Sequence, residues 1–344
     1  MNRRTLCLLF SLQFCAAAFA QMPALSPLPQ TGSLSNPSDP SNFIFVIAGD
    51  NRPANSSCPQ PPIPGKIFAD VHQMTPPTAF VLWTGDTISG KNPKDPALMQ
   101  QQYNEFLTIA ATAGVPVFNA PGNHEMDDKD EVPSSIMKGL YRKYMAETYG
   151  AFNYGNSRFI ALDSENEHPK TKLSKQVSTA EGAAKSQPPG FITKKQLTLL
   201  QNDLKANKDK AHIIIFMHHP VVPYGGKSGL DPVSVTALKQ IFGGYYNVSY
   251  VVSGHEHMYF NPQGDPTKMT DPPSRKDPSP PPNYLPPYYL ISGGGGAPLK
   301  QNTPGSFYHY LIFKVNGAEI TPTLVKVEWS GPLCVPKTKT PPGK

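Results

Sequence analysis

The stretch FIFVIAGDNR, residues 43–52, shows the pattern that decides the fold. An uninterrupted apolar run ends in Gly49-Asp50, and such a run indicates a strand buried on both faces of a sheet. Four more apolar runs are each followed by a short polar segment. These segments are Gly85-Asp86-Thr87, Gly122-Asn123-His124-Glu125, Met217-His218-His219-Pro220 and Gly254-His255-Glu256-His257.

Helical patterns separate these runs, at residues 97–113, 135–147 and 192–206, with Thr193 as the expected N-cap of the last. Strands that alternate with helices favour a layered α/β fold. In such folds, sites form in the crevice at the carboxyl ends of the strands. We therefore expect all five polar segments to meet there. Residues 307–315 and 321–329 predict a closing hairpin around Asn316-Gly317.

The polar segments are rich in residues that bind metals. Five of the nine histidines lie in the last three segments. Aspartate, asparagine and histidine ligate divalent cations, and a carboxylate shared by two cations allows both to act on one phosphoryl group. A single aspartate after a strand is often only a turn, but the ordered set favours a metal centre. The candidate ligands are Asp50, Asp86, Asn123, His218, His255 and His257.

On these segments the chain resembles the calcineurin-like metallophosphoesterase superfamily, and within it the secreted relatives of purple acid phosphatases. The stretch from Tyr149 to Gly155 and the glycine-rich stretch from Ser292 to Ala297 add to the resemblance. It covers about residues 43–330. The family fold that it implies is a four-layer αββα sandwich with a dinuclear site at the strand ends.

The resemblance also implies a division of roles. Two divalent or trivalent ions (Fe, Mn or Zn) would share Asp86. One ion would add Asn123, His218 and His255, and the other would add Asp50 and His257. His124 would contact the phosphoryl group or protonate the leaving oxygen. Phosphate mono- or diesters would be hydrolysed by direct attack of a metal-activated hydroxide, without a covalent enzyme intermediate.

Two positions depart from the family pattern. Many members have histidine two residues after the first aspartate, where this chain has Arg52, and purple acid phosphatases have a metal-binding tyrosine at the position of Ser89. No purple colour is therefore expected. Arginine stays protonated and cannot bind a metal, so the ion at Asp50 has few protein ligands. Either Arg52 holds a phosphate oxygen, or it pairs with a nearby carboxylate and that ion binds weakly or not at all.

Two other functions are compatible with the same residues. One is a catalytically weakened protein that binds phosphate or a nucleotide without turnover. The other is a hydrolase of nucleotide anhydrides, which only a substrate panel separates from an esterase. His219 is open to two interpretations as well, as a residue that supports the site or as a packing residue.

The N-terminal part has the pattern of an exported protein. Residues 1–20 have a basic start, an apolar stretch and Ala18-Phe19-Ala20, which together predict a signal peptide cleaved before Gln21. The expected location is secreted or periplasmic. Residues 21–42 have the composition of a flexible linker, residues 261–288 form a Pro-rich insertion, and the tail at 331–344 is expected to be loose.

Charge and cysteine content add limits. Without Arg3 and Arg4, 29 of the 31 basic residues remain against 25 acidic residues. This mild excess suits a small phosphorylated substrate and shows no nucleic-acid-binding signature, and no segment after the signal peptide predicts a membrane span. The remaining cysteines, Cys58 and Cys334, either pair in an oxidising compartment or stay as two free thiols.

Overall fold

A computed structural model describes residues 20–90, 96–126, 134–166, 189–226, 228–263, 287–300 and 302–334. The expected signal peptide up to residue 19, most of the Pro-rich insertion and residues 335–344 lie outside the described residues. The strands are β1 (Asn42–Ala48), β2 (Thr78–Trp83), β3 (Val117–Asn119), β4 (Gly150–Tyr154), β5 (Ser157–Ala161), β6 (His212–Met217), β7 (Val248–Ser253), β8 (Tyr259–Phe260), β9 (Tyr288–Ser292), β10 (His309–Asn316) and β11 (Glu319–Lys326). The helices are α1 (Pro62–Gln73), α2 (Pro96–Ala111), α3 (Asn123–Met126), α4 (Ser134–Tyr144), α5 (Lys194–Ala206) and α6 (Pro232–Phe242), with a 3₁₀ turn at Tyr224–Gly226.

The strands form two sheets. The first has the order β11-β10-β1-β2-β3 and the second has the order β4-β5-β6-β7-β9-β8. The strands that precede the polar segments are parallel to their neighbours, as in the pairs β1 with β2, β2 with β3 and β6 with β7. Their carboxyl ends therefore lie at one end of the molecule. The hairpin of β10 and β11 confirms the prediction made from Asn316-Gly317.

Three hydrophobic layers hold the sheets and helices together. Aromatic side chains fill the space between the sheets, where Phe45 of β1 packs against Phe80, Phe159 and Phe313 with ring centroids 4.9 to 5.4 Å apart. Helices α1, α2 and α4 cover the outer face of the first sheet. Helices α5 and α6 cover the outer face of the second. The predicted four-layer αββα sandwich is confirmed.

The predicted helices are confirmed with shifted ends. The pattern at 97–113 corresponds to α2, that at 135–147 to α4, and that at 192–206 to α5. Thr193 caps α5, because its side chain accepts a hydrogen bond from Gln196 N at 3.2 Å. No helix within the described ranges is both long and apolar enough to cross a membrane.

The N-terminal segment corrects one prediction. Residues 22–31, which we call the strap, run across the side of the sandwich, so the flexible linker predicted for 21–42 is wrong there. Met22, Leu25 and Leu28 are buried in three different hydrophobic layers. Leu25 N donates to Ala151 O of edge strand β4 (3.1 Å), and Leu28 N donates to Val117 O of edge strand β3 (2.8 Å). The three buried apolar residues are three positions apart. The prediction missed this spacing because it rested on the overall polar composition of residues 21–42.

The C-terminal part is attached to the fold by a covalent bond. Cys58, in the loop between β1 and α1, forms a disulfide with Cys334, and their Cα atoms are 5.2 Å apart. Of the two alternatives for these cysteines, the structure has the pair. The loose tail predicted for 331–344 is therefore wrong for the residues up to Cys334, and the rest of it lies outside the described residues.

Candidate metal centre

The structure brings all six predicted ligands together at the carboxyl ends of the strands. Asp50 follows β1, Asp86 follows β2 and Asn123 begins α3 just after β3. His218 follows β6, and His255 and His257 follow β7. Because these strands belong to both sheets, the site lies where the two sheets meet.

Three donor atoms converge at what we call the Asn123 position. His218 Nε2 lies 3.0 Å from Asn123 Oδ1, and His255 Nδ1 lies 3.1 Å from the same oxygen. The two ring nitrogens are 3.1 Å apart. Asp86 Oδ1 is 3.4 Å from His218 Nε2. This set of nitrogen and oxygen donors can hold a transition metal such as Zn²⁺ or Mn²⁺.

A second group forms what we call the Asp50 position. Asp50, Asp86 and His257 each offer one ligand atom, and these three atoms lie within 4.8 Å of one another. His257 Nε2 is 3.6 Å from Asp50 Oδ1. Because Asp86 belongs to this group and also borders the Asn123 position, its carboxylate is placed between the two positions.

Hydrogen bonds outside the site fix which ring nitrogen faces a metal. Nδ1 of His218 donates to Thr84 O at 2.8 Å, and Nδ1 of His257 donates to Pro298 O at 2.7 Å. A carbonyl oxygen only accepts, so the proton of each neutral ring is on Nδ1 and Nε2 presents its lone pair to the site. Such outer contacts are the usual support of histidine ligands.

The backbone of the site adopts conformations that side chains normally avoid. Asp50, Asp86, His255 and His257 have φ of 61°, 54°, 71° and 46°, which is the left-handed region. Conformations of this kind persist where the surroundings determine them and cluster at functional sites. Gly254 is one such constraint, since a Cβ there would lie 2.1 Å from Asp50 Oδ2. The ligands are thus held by the backbone as well as by their side chains.

Burial and neighbouring charges shift the pKa values of several ligands, and not all in the same direction. Burial, followed by the charge of Asp86, raises the pKa of Asp50 well above its ordinary value. Although burial opposes it, the neighbouring His218, His124 and Arg52 charges hold the pKa of Asp86 below its ordinary value. Burial also lowers the pKa of His255 and brings that of His257 to about 4. At neutral pH His255 and His257 are therefore uncharged and able to bind a metal.

Comparison with known proteins identifies the family. The family model described as calcineurin-like phosphoesterase matches residues 65–259, which is more than half of the 344 residues. The chain belongs to the calcineurin-like phosphoesterase family. Metal-dependent hydrolysis of phosphoesters is the chemistry of this family, and the clustered ligands fit it.

Solved structures agree with this fold. A purple acid phosphatase from seeds of yellow lupin (Lupinus luteus) is 16% identical with a TM-score of 0.55, and the match covers 85% of this chain and 53% of that one. A dimetal phosphatase from Danio rerio is 14% identical with a TM-score of 0.55, and the match covers 83% of this chain and 98% of that one. The chain thus spans about half the length of the lupin protein. Among curated proteins, none matches the sequence.

Glu125 holds two of the ligand segments together. Its buried carboxylate accepts hydrogen bonds from Asp86 N (3.1 Å), Gly122 N (2.7 Å) and Thr87 Oγ1 (2.7 Å), and also from Thr87 N. Burial, followed by the charge of Asp86, raises its pKa to about 7. Glu125 is not among the residues that the sequence predicts for the site. Its place three residues after Gly122, where a glutamate reaches back to the start of a helix, was the available signal.

His219 supports the site by packing against the ligand His255. It is buried, and its Nδ1 lies 2.5 Å from Glu165 Oε1. Its ring lies against that of His255, with centroids 4.1 Å apart. Of the two interpretations of His219, the structure favours the supporting one. Glu165 was missed, because nothing near it in the sequence links it to a histidine that is 54 residues away.

Arg52 and His124 lie on the same side of Asp86. Arg52 Nε is 3.6 Å from Asp86 Oδ2, and His124 Nε2 is 3.9 Å from the same oxygen. Ser89, at the position of the tyrosine in purple acid phosphatases, is engaged elsewhere: its hydroxyl bonds to Gln102 and its carbonyl accepts from His124 Nδ1 at 2.5 Å. Both predicted catalytic residues therefore border the ligands.

Proposed function

We propose that this member of the calcineurin-like phosphoesterase family is a metal-dependent hydrolase of small phosphate monoesters or diesters. The observation that carries the proposal is the convergence of Asn123, His218 and His255 within 3.1 Å beside the shared carboxylate of Asp86. Such a set is built to hold a cation. Asp50 and His257 provide a second position next to it.

The donors fit the two ions that the family implies. Asn123, His218, His255 and Asp86 would hold one ion, and Asp50, Asp86 and His257 would hold the other. When bound, the ions would polarise the phosphoryl group and lower the pKa of a water molecule. The remaining steps depend on residues of this chain that contact the substrate and move a proton.

We assign His124 to proton transfer at the leaving oxygen. Ser89 O accepts the Nδ1 proton and so fixes the ring orientation. A second proton on Nε2 makes the ring cationic, and the Asp86 carboxylate at 3.9 Å stabilises that cation. The ring can then give the Nε2 proton to the departing oxygen, a step that contributes about 10² to 10⁴-fold in rate.

We assign Arg52 to a phosphoryl oxygen. Its guanidinium lies 3.6 Å from Asp86 Oδ2 and makes one long hydrogen bond, from Nη1 to Pro53 O at 3.4 Å. The Nε atom is buried, and no described residue accepts its proton. A guanidinium suits the oxygens of a phosphate and stabilises charge there. Such a contact would hold the phosphoryl group against the metal centre.

A substrate panel with metal replacement tests the function. Mature protein is expected to release nitrophenol from p-nitrophenyl phosphate or its bis-ester, to lose activity with a chelator, and to regain it with Mn²⁺, Fe²⁺ or Zn²⁺. His124→Ala should lower kcat by at least about 10²-fold, while the exposed variant His72→Ala should match the parent. Turnover of nucleoside diphosphates alone would support the anhydride alternative. Binding of phosphate without turnover of any substrate would contradict the proposal.

We also propose that the protein works outside the reducing cytosol, either secreted or periplasmic. The signal-peptide pattern of residues 1–20 supports this, and so does the Cys58–Cys334 bond, because such bonds persist in oxidising compartments. Protein recovered from the medium or periplasm is expected to start at Gln21 by mass spectrometry. Recovery of the full-length chain from the reducing cytosol, with both thiols free, would rule the location out.

A further inference from the structure

The two metal positions differ in their protein donors. At the Asn123 position, an amide oxygen and two ring nitrogens lie 3.0 to 3.1 Å apart, with Asp86 Oδ1 beside them. At the Asp50 position, one ligand atom from each of Asp50, Asp86 and His257 is present, and these three atoms lie within 4.8 Å of one another. The first set is the larger and the more closely gathered of the two.

Arg52 lies beside the Asp50 position, which has fewer protein donors than the Asn123 position. Its Nε lies 3.6 Å from Asp86 Oδ2, whereas Asp86 Oδ1 faces His218 at the Asn123 position. The charge of Arg52 also interacts electrostatically with Asp50 and His257. The guanidinium therefore adds positive charge beside the same three residues that form the Asp50 position.

The backbone around Arg52 is fixed, so its side chain starts from a point beside the site. Asp50 N donates to Gly85 O (2.9 Å) and Asn51 N donates to Asp86 O (3.1 Å). The buried Asn51 side chain accepts from Trp83 Nε1 (2.8 Å) and donates to Gln60 Oε1 (2.7 Å). Moving this backbone away from Asp86 would break all four bonds.

We propose that Arg52 makes the metal centre unequal, so that the Asn123 position keeps its ion tightly while the Asp50 position exchanges its ion. Arginine stays charged at any working pH and cannot bind a metal. Its charge opposes a cation at the Asp50 position. A unit charge within a few ångströms of a divalent ion is expected to weaken binding by about tenfold or more. The proposal rests on the metal dependence in the proposed function but does not require any particular substrate.

Metal binding without substrate tests the inequality. Metal-depleted protein is titrated by calorimetry with Mn²⁺ alone, and its Mn content is measured after gel filtration in metal-free buffer. We expect two binding events whose Kd values differ at least tenfold, and one retained ion per chain. His255→Ala should remove the tight event, and His257→Ala should remove the weak one. Two events with Kd values within threefold of each other would overturn the proposal.

Two substitutions distinguish the effect of the Arg52 charge on metal binding from the effect of the number of ligands. Arg52→Gln removes the charge and should tighten the weak event at least tenfold. Arg52→His also adds a ligand and should tighten it further, with two ions retained after gel filtration. Arg142→Gln is the matched control, because it removes an exposed arginine charge paired with Glu147, and its two Kd values should equal those of the parent. Thermal melting shows whether each variant is folded.

The outcomes distinguish this proposal from the proposed function. If Arg52→Gln and Arg52→His both leave the weak Kd unchanged, Arg52 is not the cause and the proposal is wrong, whatever the catalytic activity. If the parent binds unequally and the variants respond as expected, the proposal holds even where no phosphoester is hydrolysed. If neither position binds Mn²⁺ or Zn²⁺, both proposals fail together.

Discussion

Asp86→Asn is expected to lower kcat for phosphoester hydrolysis by at least about 10³-fold, because it removes the carboxylate that both metal positions share. Asparagine tolerates the left-handed backbone found at this residue, where φ is 54°. Asparagine also keeps an oxygen that can accept the hydrogen bond from His124 N, so we expect the variant to fold. Activity is measured with saturating Mn²⁺, so that weaker metal binding is not mistaken for slower chemistry.

A second variant and two controls make the Asp86 result decisive. His255→Ala removes a nitrogen from the Asn123 position and is expected to cause a loss of similar size. Asp209→Ala and His72→Ala alter the same residue types at exposed positions of the fold, and they should keep full activity. Parent-like kcat in both site variants would refute the metal centre as the place of catalysis. Circular dichroism and thermal melting would show that the site variants are folded.

The double variant Cys58→Ala/Cys334→Ala is expected to lose about 2–5 kcal/mol of unfolding free energy. The disulfide closes a loop with a sequence separation of 276 residues. Closing so long a loop lowers the conformational entropy of the unfolded chain. This raises the free energy of unfolding. The measurement is urea unfolding of the oxidised parent beside the double variant.

Reduction gives an independent check on the disulfide. The parent treated with reductant and then alkylated should unfold at the same urea concentration as the double variant. Thiol titration of unfolded, unreduced parent should find neither cysteine reactive. Two reactive thiols, or a variant as stable as the parent, would show that the bond does not form or does not stabilise the protein.

The sequence was informative where chemistry and strand patterns coincide. Uninterrupted apolar runs such as Phe43–Ala48 predict buried parallel strands, and the carboxyl ends of parallel strands meet. That reasoning brings Asp50, Asp86 and His218 together without any knowledge of distances. The same reasoning predicted the layered fold, whereas the order of strands within each sheet depended on the structure.

Contacts between distant parts of the chain could not be predicted from the sequence. Glu165 reaches His219 across 54 residues, and the pairing of Cys58 with Cys334 needs a distance that no single sequence contains. The role of Glu125 depends on backbone N–H groups of another loop, which have no side-chain pattern of their own. Side-chain identity predicted the metal ligands well, but it did not predict what holds them in place.

The strap shows that the folded unit includes residues before the first strand. Strands β3 and β4 are the edges of the two sheets on one side of the sandwich, and their backbone groups at Val117 and Ala151 bond to the strap. An uncovered edge of this kind is a template on which a strand of another molecule can pair. The strap therefore covers these two edges and leaves fewer free backbone groups with which another molecule could pair. A boundary for recombinant expression belongs before Met22 and not at the first strand.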